Sequence, residues 1–231
     1  MREAAERLNV DPSRVRQLLR NRTLAGRRVG GRWLVASEDV GRLAGYRTVP
    51  GRPLAPARAW GLLDLLDGGA APWLTPVARS QVRQLLRRLD GESADRWRGA
   101  LGARSHVLRC QAHPTTIPRL LGQGSVDVLR AGPAQAARQG VDLMTLGEVP
   151  EVYVLPNQWP ELARSLMITE GAARPNLLVR LPRGPWPFQD RHEVGLAALA
   201  ADLLESAEPR SISSGVATLN DLSGQNISAQ R

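Results

Sequence analysis

Apolar residues recur at helical spacing at the very start of the chain. Ala4, Ala5 and Leu8 line one side of a segment covering residues 2–8, and Val15, Leu18 and Leu19 repeat the pattern a few residues on. Asn9 and Val10 turn the chain between the two. Asp11 is a good N-cap and Pro12 suits the first helical position, so the second helix is predicted to start there. Its outer side and margins are left to Ser13, Arg14, Arg16, Gln17 and Arg20. After a break over residues 21–24 the pattern changes. Arg27, Arg28, Val29, Gly30, Gly31, Arg32, Trp33, Leu34 and Val35 read as a hairpin, with Gly30-Gly31 supplying the positive backbone angles of a tight turn. Val29, Trp33 and Val35 are expected to pack on the helices, with Arg27, Arg28 and Arg32 outside. Ser37 can cap a last short helix with Glu38 and Asp39 in its first turn and Val40 and Leu43 facing inward.

Residues 46–104 read differently. Residues 48–56 are rich in Pro and Gly and predict a linker. An amphipathic helix follows over residues 58–66. Thr75-Pro76 then starts another, with Val77, Val82, Leu85, Leu86 and Leu89 at helical spacing and Arg79, Arg83, Arg87 and Arg88 around the rest of its surface. The pair is either a second helix-turn-helix, whose Arg79, Arg83 and Arg87 would face DNA, or a helical connector.

Beyond residue 104 short apolar runs alternate with helical stretches. Strands are predicted at 106–110, 125–129, 151–155 and 176–181, and helices at 116–121, 134–138, 158–166 and 194–206. The fold class is therefore α+β: an N-terminal unit over 1–45, a helical middle over 46–104 and a mixed α/β domain over 105–210. Residues 211–231 are polar and poor in large apolar side chains, which predicts a weakly ordered tail with at most one short helix.

Charge sharpens the picture of the N-terminal unit. The chain carries a formal net charge of +9, unevenly placed. Residues 1–104 hold 20 Arg against 10 acidic residues, whereas 105–231 hold 11 Arg against 12. A basic front on a near-neutral remainder points to a polyanion partner. All 31 basic residues are Arg, as expected of a GC-rich coding bias, so position argues more strongly than count. The lone Cys110 excludes an internal disulfide and fits a reducing compartment. No apolar run approaches membrane-spanning length, and no secretory leader is evident. The expectation is a cytoplasmic protein without a membrane partner.

Catalytic chemistry finds little support. His106, His113 and His192 are the only histidines, and His106 with Cys110 lacks the further ligands a zinc site needs. Asp127, Asp142, Glu148, Glu151 and Asp202 are scattered, and the phosphate-loop, dinucleotide and serine-elbow motifs are absent. The chain is expected to be no enzyme, with no cofactor and no metal.

A short helix, a turn, a second helix with an Arg- and Gln-bearing outer face and an Arg-flanked hairpin make a winged helix-turn-helix. Arg and Gln have the reach and donors for purine edges in the major groove. The phrases AAERLNVDPSRVRQLLRNRTL, RRVGGRWLV and SEDV resemble the excisionase-type branch of the MerR-like winged helix-turn-helix superfamily. The resemblance implies Ser13, Arg14, Arg16 and Gln17 in the groove and Arg28 and Arg32 on the backbone, where Arg20 and Arg27 can join them.

Further on, AWGLLDLLDG, WLTPVARSQVRQLLRRL, AHPTTIPRLL, EVYVLP, NLLVRLP, PWPF and ALAADLLESAEPRS follow one another as in AbiEi-like antitoxins, a resemblance covering roughly residues 52–212. It implies a repressor that binds double-stranded DNA at its own operon and counteracts a nucleotidyltransferase-like toxin. Alternatives are a stand-alone regulator with a sensing C-terminal domain, a recombination directionality factor, and an adaptor that binds no DNA. One small reader buries little surface, so two readers per operator are expected, through a homodimer or two units in each chain.

Overall fold

The computed structural model describes residues 1–8, 10–20, 24, 26–35, 40, 53–122, 127–143, 149–189, 191–206 and 208–228. In the N-terminal unit, α1 (Arg2–Arg7) and α2 (Pro12–Arg20) precede a two-stranded hairpin of β1 (Gly26–Val29) and β2 (Arg32–Val35). Ala4, Ala5, Leu8, Val15, Leu18, Leu19 and Leu24 form its core, closed by Val40 and by half-buried Trp33 and Val35. The expected helix from Ser37 through Leu43 lies outside the described residues apart from Val40. The linker expected over 48–56 is described only from Pro53 onward.

Gly30 and Gly31 take φ of +55° and +79°, the turn in which two residues close a hairpin. A two-residue turn pairs Val29 with Arg32 and Arg28 with Trp33. Paired residues share a face, so Val29 lies opposite Trp33 and is 46% exposed. This corrects the expectation that Val29 packs on the helices: the register places Arg28, not Val29, on the Trp33 side.

The rest of the chain is built around a five-stranded mixed sheet in the order β4 (Val128–Ala131), β5 (Glu151–Val154), β7 (Leu177–Pro182), β3 (Ser105–Gln111) and β6 (Thr169–Glu170). Only the β5–β7 pairing is parallel among these. Strand alternation divides the side chains between two cores. Val152, Val154, Leu177, Val179 and Cys110 face one core, covered by α6 (Thr116–Gly122) and α8 (Trp159–Ser165). Leu129, Ala131 and Tyr153 face the other.

That second core is the larger one. It gathers α3 (Pro56–Leu66), α4 (Pro76–Leu89), α5 (Ala94–Leu101), α7 (Gly132–Arg138), α9 (Leu196–Leu203) and α10 (Pro209–Ser228). The helical middle and the C-terminal domain thus share one core, so residue 104 marks no break in the packing. From Ala59 to Leu66 every residue of α3 is buried, as befits a helix apolar on most of its circumference.

Where a weakly ordered tail is expected over 211–231, residues up to Ser228 form the 20-residue α10, and 229–231 lie outside the described residues. Its buried stripe is Ser211, Gly215, Leu219 and Ser223, one residue every four. Small side chains let it approach α9 closely: a Cβ on Gly215 would sit 2.7 Å from the Ala200 carbonyl oxygen. Polar side chains stitch it further. Asn226 donates to the carbonyls of Leu65 and Leu66 at the end of α3, and Asn220 accepts from the Trp97 indole while donating to the Glu92 carbonyl. No described helix is long and apolar enough to cross a membrane.

Candidate nucleic-acid interface

The local sequence fixes where α2 starts and which face it exposes. The Asp11 carboxylate accepts the Ser13 backbone N–H at 2.7 Å, satisfying a donor the helix start leaves free. Hydrogen bonds from Ser13 hold the Asp11 carboxyl below its ordinary range. With Val15, Leu18 and Leu19 committed to the core, Ser13, Arg14, Arg16, Gln17 and Arg20 are all exposed. Pro12–Arg20 contains no acidic residue, so the N-cap Asp11 is the one carboxylate of this segment. Arg14 donates to the Gln17 side chain one turn on, which fixes the two on one side of the helix. Arg16 donates to the Pro12 carbonyl at 3.4 Å.

The hairpin is held against the end of α2. A Cβ on Gly26 would lie 2.6 Å from the Leu19 Cδ2 and 2.9 Å from the Leu34 carbonyl oxygen, so this position has room only for glycine. Arg28 and Arg32 are exposed, with Arg28 donating to the Gly31 carbonyl across the turn at 3.5 Å. Arg32 shares the outward face with Val29 and with Leu34, which is 51% exposed. The Arg27 side chain lies outside the described residues. α2 and the hairpin share one small core, and each carries exposed Arg side chains.

The α4 helix, with its Arg side chains, is a different case. Thr75 caps it through the Ala78 N–H, as its sequence predicts. Arg79, expected among the DNA-facing residues, turns inward and donates to the carbonyls of Ala71 and Leu74. It clasps the loop before α4, because that loop's carbonyls have no helical partner. This removes Arg79 from the candidate interface. Arg83 and Arg87 remain on the exposed face with Gln84. Because α3 is sunk in the C-terminal core, the α3–α4 pair is built as part of that domain.

One cluster was not legible as a cluster in the sequence. Arg104, before β3, reaches Asp202 at 2.7 Å and Glu205 at 2.6 Å. Arg180 of β7 reaches Glu151 at 2.7 Å, Glu205 at 2.6 Å and Asp202 at 3.2 Å. The Tyr153 hydroxyl donates to Asp202 at 2.6 Å. Arg104, Tyr153, Arg180 and Asp202 are buried, and the Glu151 and Glu205 side chains keep only 10% and 6% of their surface exposed. Burial raises the Glu151 and Asp202 carboxyls, against the pull of Arg180. Burial works against the charge on both arginines too, but the surrounding carboxylates more than offset it and hold them protonated. The cluster clasps α9 to the sheet. The even spacing of Glu151 and Tyr153 was the only sequence signal, because the other members come from distant segments.

Among the described residues, no group of three or more His, Cys, Asp or Glu is placed to hold a metal ion. His106 is exposed while Cys110 on the same strand is buried. The His113 ring bonds the Thr115 hydroxyl at 2.8 Å in a local turn.

Residues 1–44 match a helix-turn-helix domain family. No curated protein and no solved structure matches the chain.

Proposed function

We propose that the chain is a sequence-specific DNA-binding repressor of its own operon. Ser13, Arg14, Arg16 and Gln17 meet base edges in the major groove, and Arg20, Arg28 and Arg32 hold the phosphates. The observation that carries this reading is the acid-free, fully exposed polar face of α2 beside an Arg-bearing wing, within a segment that matches a helix-turn-helix family. The finer role, antitoxin to a nucleotidyltransferase-like toxin, is supported by the order of short phrases across residues 52–212 that resembles AbiEi-like antitoxins. In this reading the protein binds and does not catalyse, works in the cytoplasm, and occupies its operator as two readers.

The test is salt-dependent binding to the chain's own upstream DNA beside an unrelated duplex of equal length. Selective binding is expected, with Arg14→Ala and Arg16→Ala each costing about 1–3 kcal/mol on the operator. Arg32→Ala should weaken both duplexes alike and lower the salt slope by about one. Equal, purely salt-driven binding to both duplexes would reduce the basic front to a charged surface. Co-purification with the product of the adjacent gene tests the antitoxin role separately.

A further inference from the structure

A polar cleft of about 370 Å³ opens between β4, α7 and the segment at 191–194. It lies at the lower end of the size range for small-molecule sites. Its floor includes the apolar Leu121 and Val128, and its walls carry Arg130, Gln135, Arg138 and His192. Two structural bonds fix the walls. Arg130 donates through Nε to the Leu121 carbonyl at 3.0 Å, and Gln139 donates to the Val194 carbonyl at 2.9 Å, tying α7 to the His192 segment.

What the wall cations lack is a carboxylate partner. Among the described residues neither Arg130 nor Arg138 has a carboxylate within ion-pair distance. Gln135 is only 7% exposed, yet its side-chain amide makes no hydrogen bond to any described residue. Elsewhere in this domain buried cations are matched: Arg104 and Arg180 are each surrounded by carboxylates. The Gln135 amide and the two guanidinium groups thus line one cleft with donors that, among the described residues, no protein acceptor other than the Leu121 carbonyl takes up, which leaves them available to an anion. Glu193 is the sole acidic residue on the cleft's wall, so the balance is positive.

We infer that this cleft binds a small organic anion, a carboxylate or phosphate ester carried on a compact apolar body. The anionic group lies between Arg130 and Arg138, the Gln135 amide donates to it, and the apolar part rests on Leu121 and Val128. Arginine favours such groups because its planar fork meets two oxygens at once. The site belongs to the C-terminal domain and stands or falls independently of DNA binding.

The chain's three histidines make a direct test available. Full-length protein labelled at histidine is titrated with adenosine 5′-monophosphate and, separately, with benzoate, at about 150 mM salt to screen exposed charges. The ring signals of His192 should move saturably with at least one probe while those of His106 and His113 stay in place. The probe that binds distinguishes phosphate ester from carboxylate. Arg138→Gln, on an exposed position of α7, should weaken binding about tenfold, the loss of one charge-assisted contact. Arg164→Gln, an exposed cation on α8, should leave it unchanged. No saturable shift with either probe overturns the proposal. So does joint movement of all three histidines, or an equal loss in Arg138→Gln and Arg164→Gln.

Discussion

At the residue scale, the environment decides what a side chain does more firmly than its type. Cys110 is buried, and burial with the nearby charge of Glu170 pushes its thiol up to about 12. Only the thiolate reacts, so native protein should resist a thiol reagent at about pH 8 and react once unfolded. Absorbance of the released reagent reports this directly, and fast native labelling would contradict the burial. Asp67 shows the opposite kind of consequence. It accepts the Ala197 N–H at 2.8 Å and so caps α9 from the end of α3. Burial still raises its carboxyl from 3.8 to about 6, although Ala197 and Arg191 pull it down. The folded state therefore holds this proton more tightly than the unfolded one. Its contribution to stability is fullest below pH 3.8 and falls as pH rises to about 6. Asp67→Asn keeps an oxygen for Ala197 and removes the titration. Its melting temperature should exceed that of the parent above pH 6 and converge with it at acid pH. A variant that tracks the parent across the range would show that Asp67 titrates normally.

At the scale of single elements, α10 is the instructive case. Glycine inside a helix ordinarily costs about 1 kcal/mol relative to alanine. Gly224 meets nothing within 4 Å of an added Cβ, so Gly224→Ala should stabilise by about 0.5–1 kcal/mol. Gly215 lies against the Ala200 carbonyl at 2.7 Å and the Leu203 Cβ at 2.9 Å, so Gly215→Ala should destabilise by about 1–3 kcal/mol despite its better propensity. Denaturant unfolding of the two variants, compared side by side, tests whether the helix packs as described. Similar gains from both would mean that α10 stands away from α9. Asn226→Ala removes the donor to the Leu65 and Leu66 carbonyls at the end of α3 and should cost about 1–3 kcal/mol in the same assay. Most strands and helices between residues 105 and 206 lie close to where the apolar periodicity puts them, because strong alternation and caps are local signals. The strand expected over 125–129 is found at Val128–Ala131, with 125–126 outside the described residues, and the pattern does not predict the two-residue β6. α10 escaped that reading because its buried stripe is made of Ser, Gly and a single Leu, which burial selects for size and not for hydrophobicity.

At the scale of the whole molecule, the buried ionic cluster ties β5, β7 and α9 together. Replacing Arg180 by Met would leave Glu151, Glu205 and Asp202 short of a cation and should cost about 3–5 kcal/mol, measured by chemical denaturation. A near-neutral result would mean that the carboxyls simply take up protons. What the sequence by itself determined is the local part of this protein. The cap at Asp11, the glycine turn at residues 30–31 and the 3.6-residue spacing of Val15, Leu18 and Leu19 each act over a few residues, so the α2 face and the wing were readable before any coordinates. Tertiary structure decided the rest. It turned Arg79 inward to serve a loop, placed Val29 outside through the register of the turn, and merged the middle helices with the C-terminal domain. It also converted a polar tail into a packed helix. Each of these depends on contacts between residues far apart in the chain, or on which strand positions oppose each other. The free energy of burying or pairing a group is set by those partners, and one-dimensional pattern does not name them.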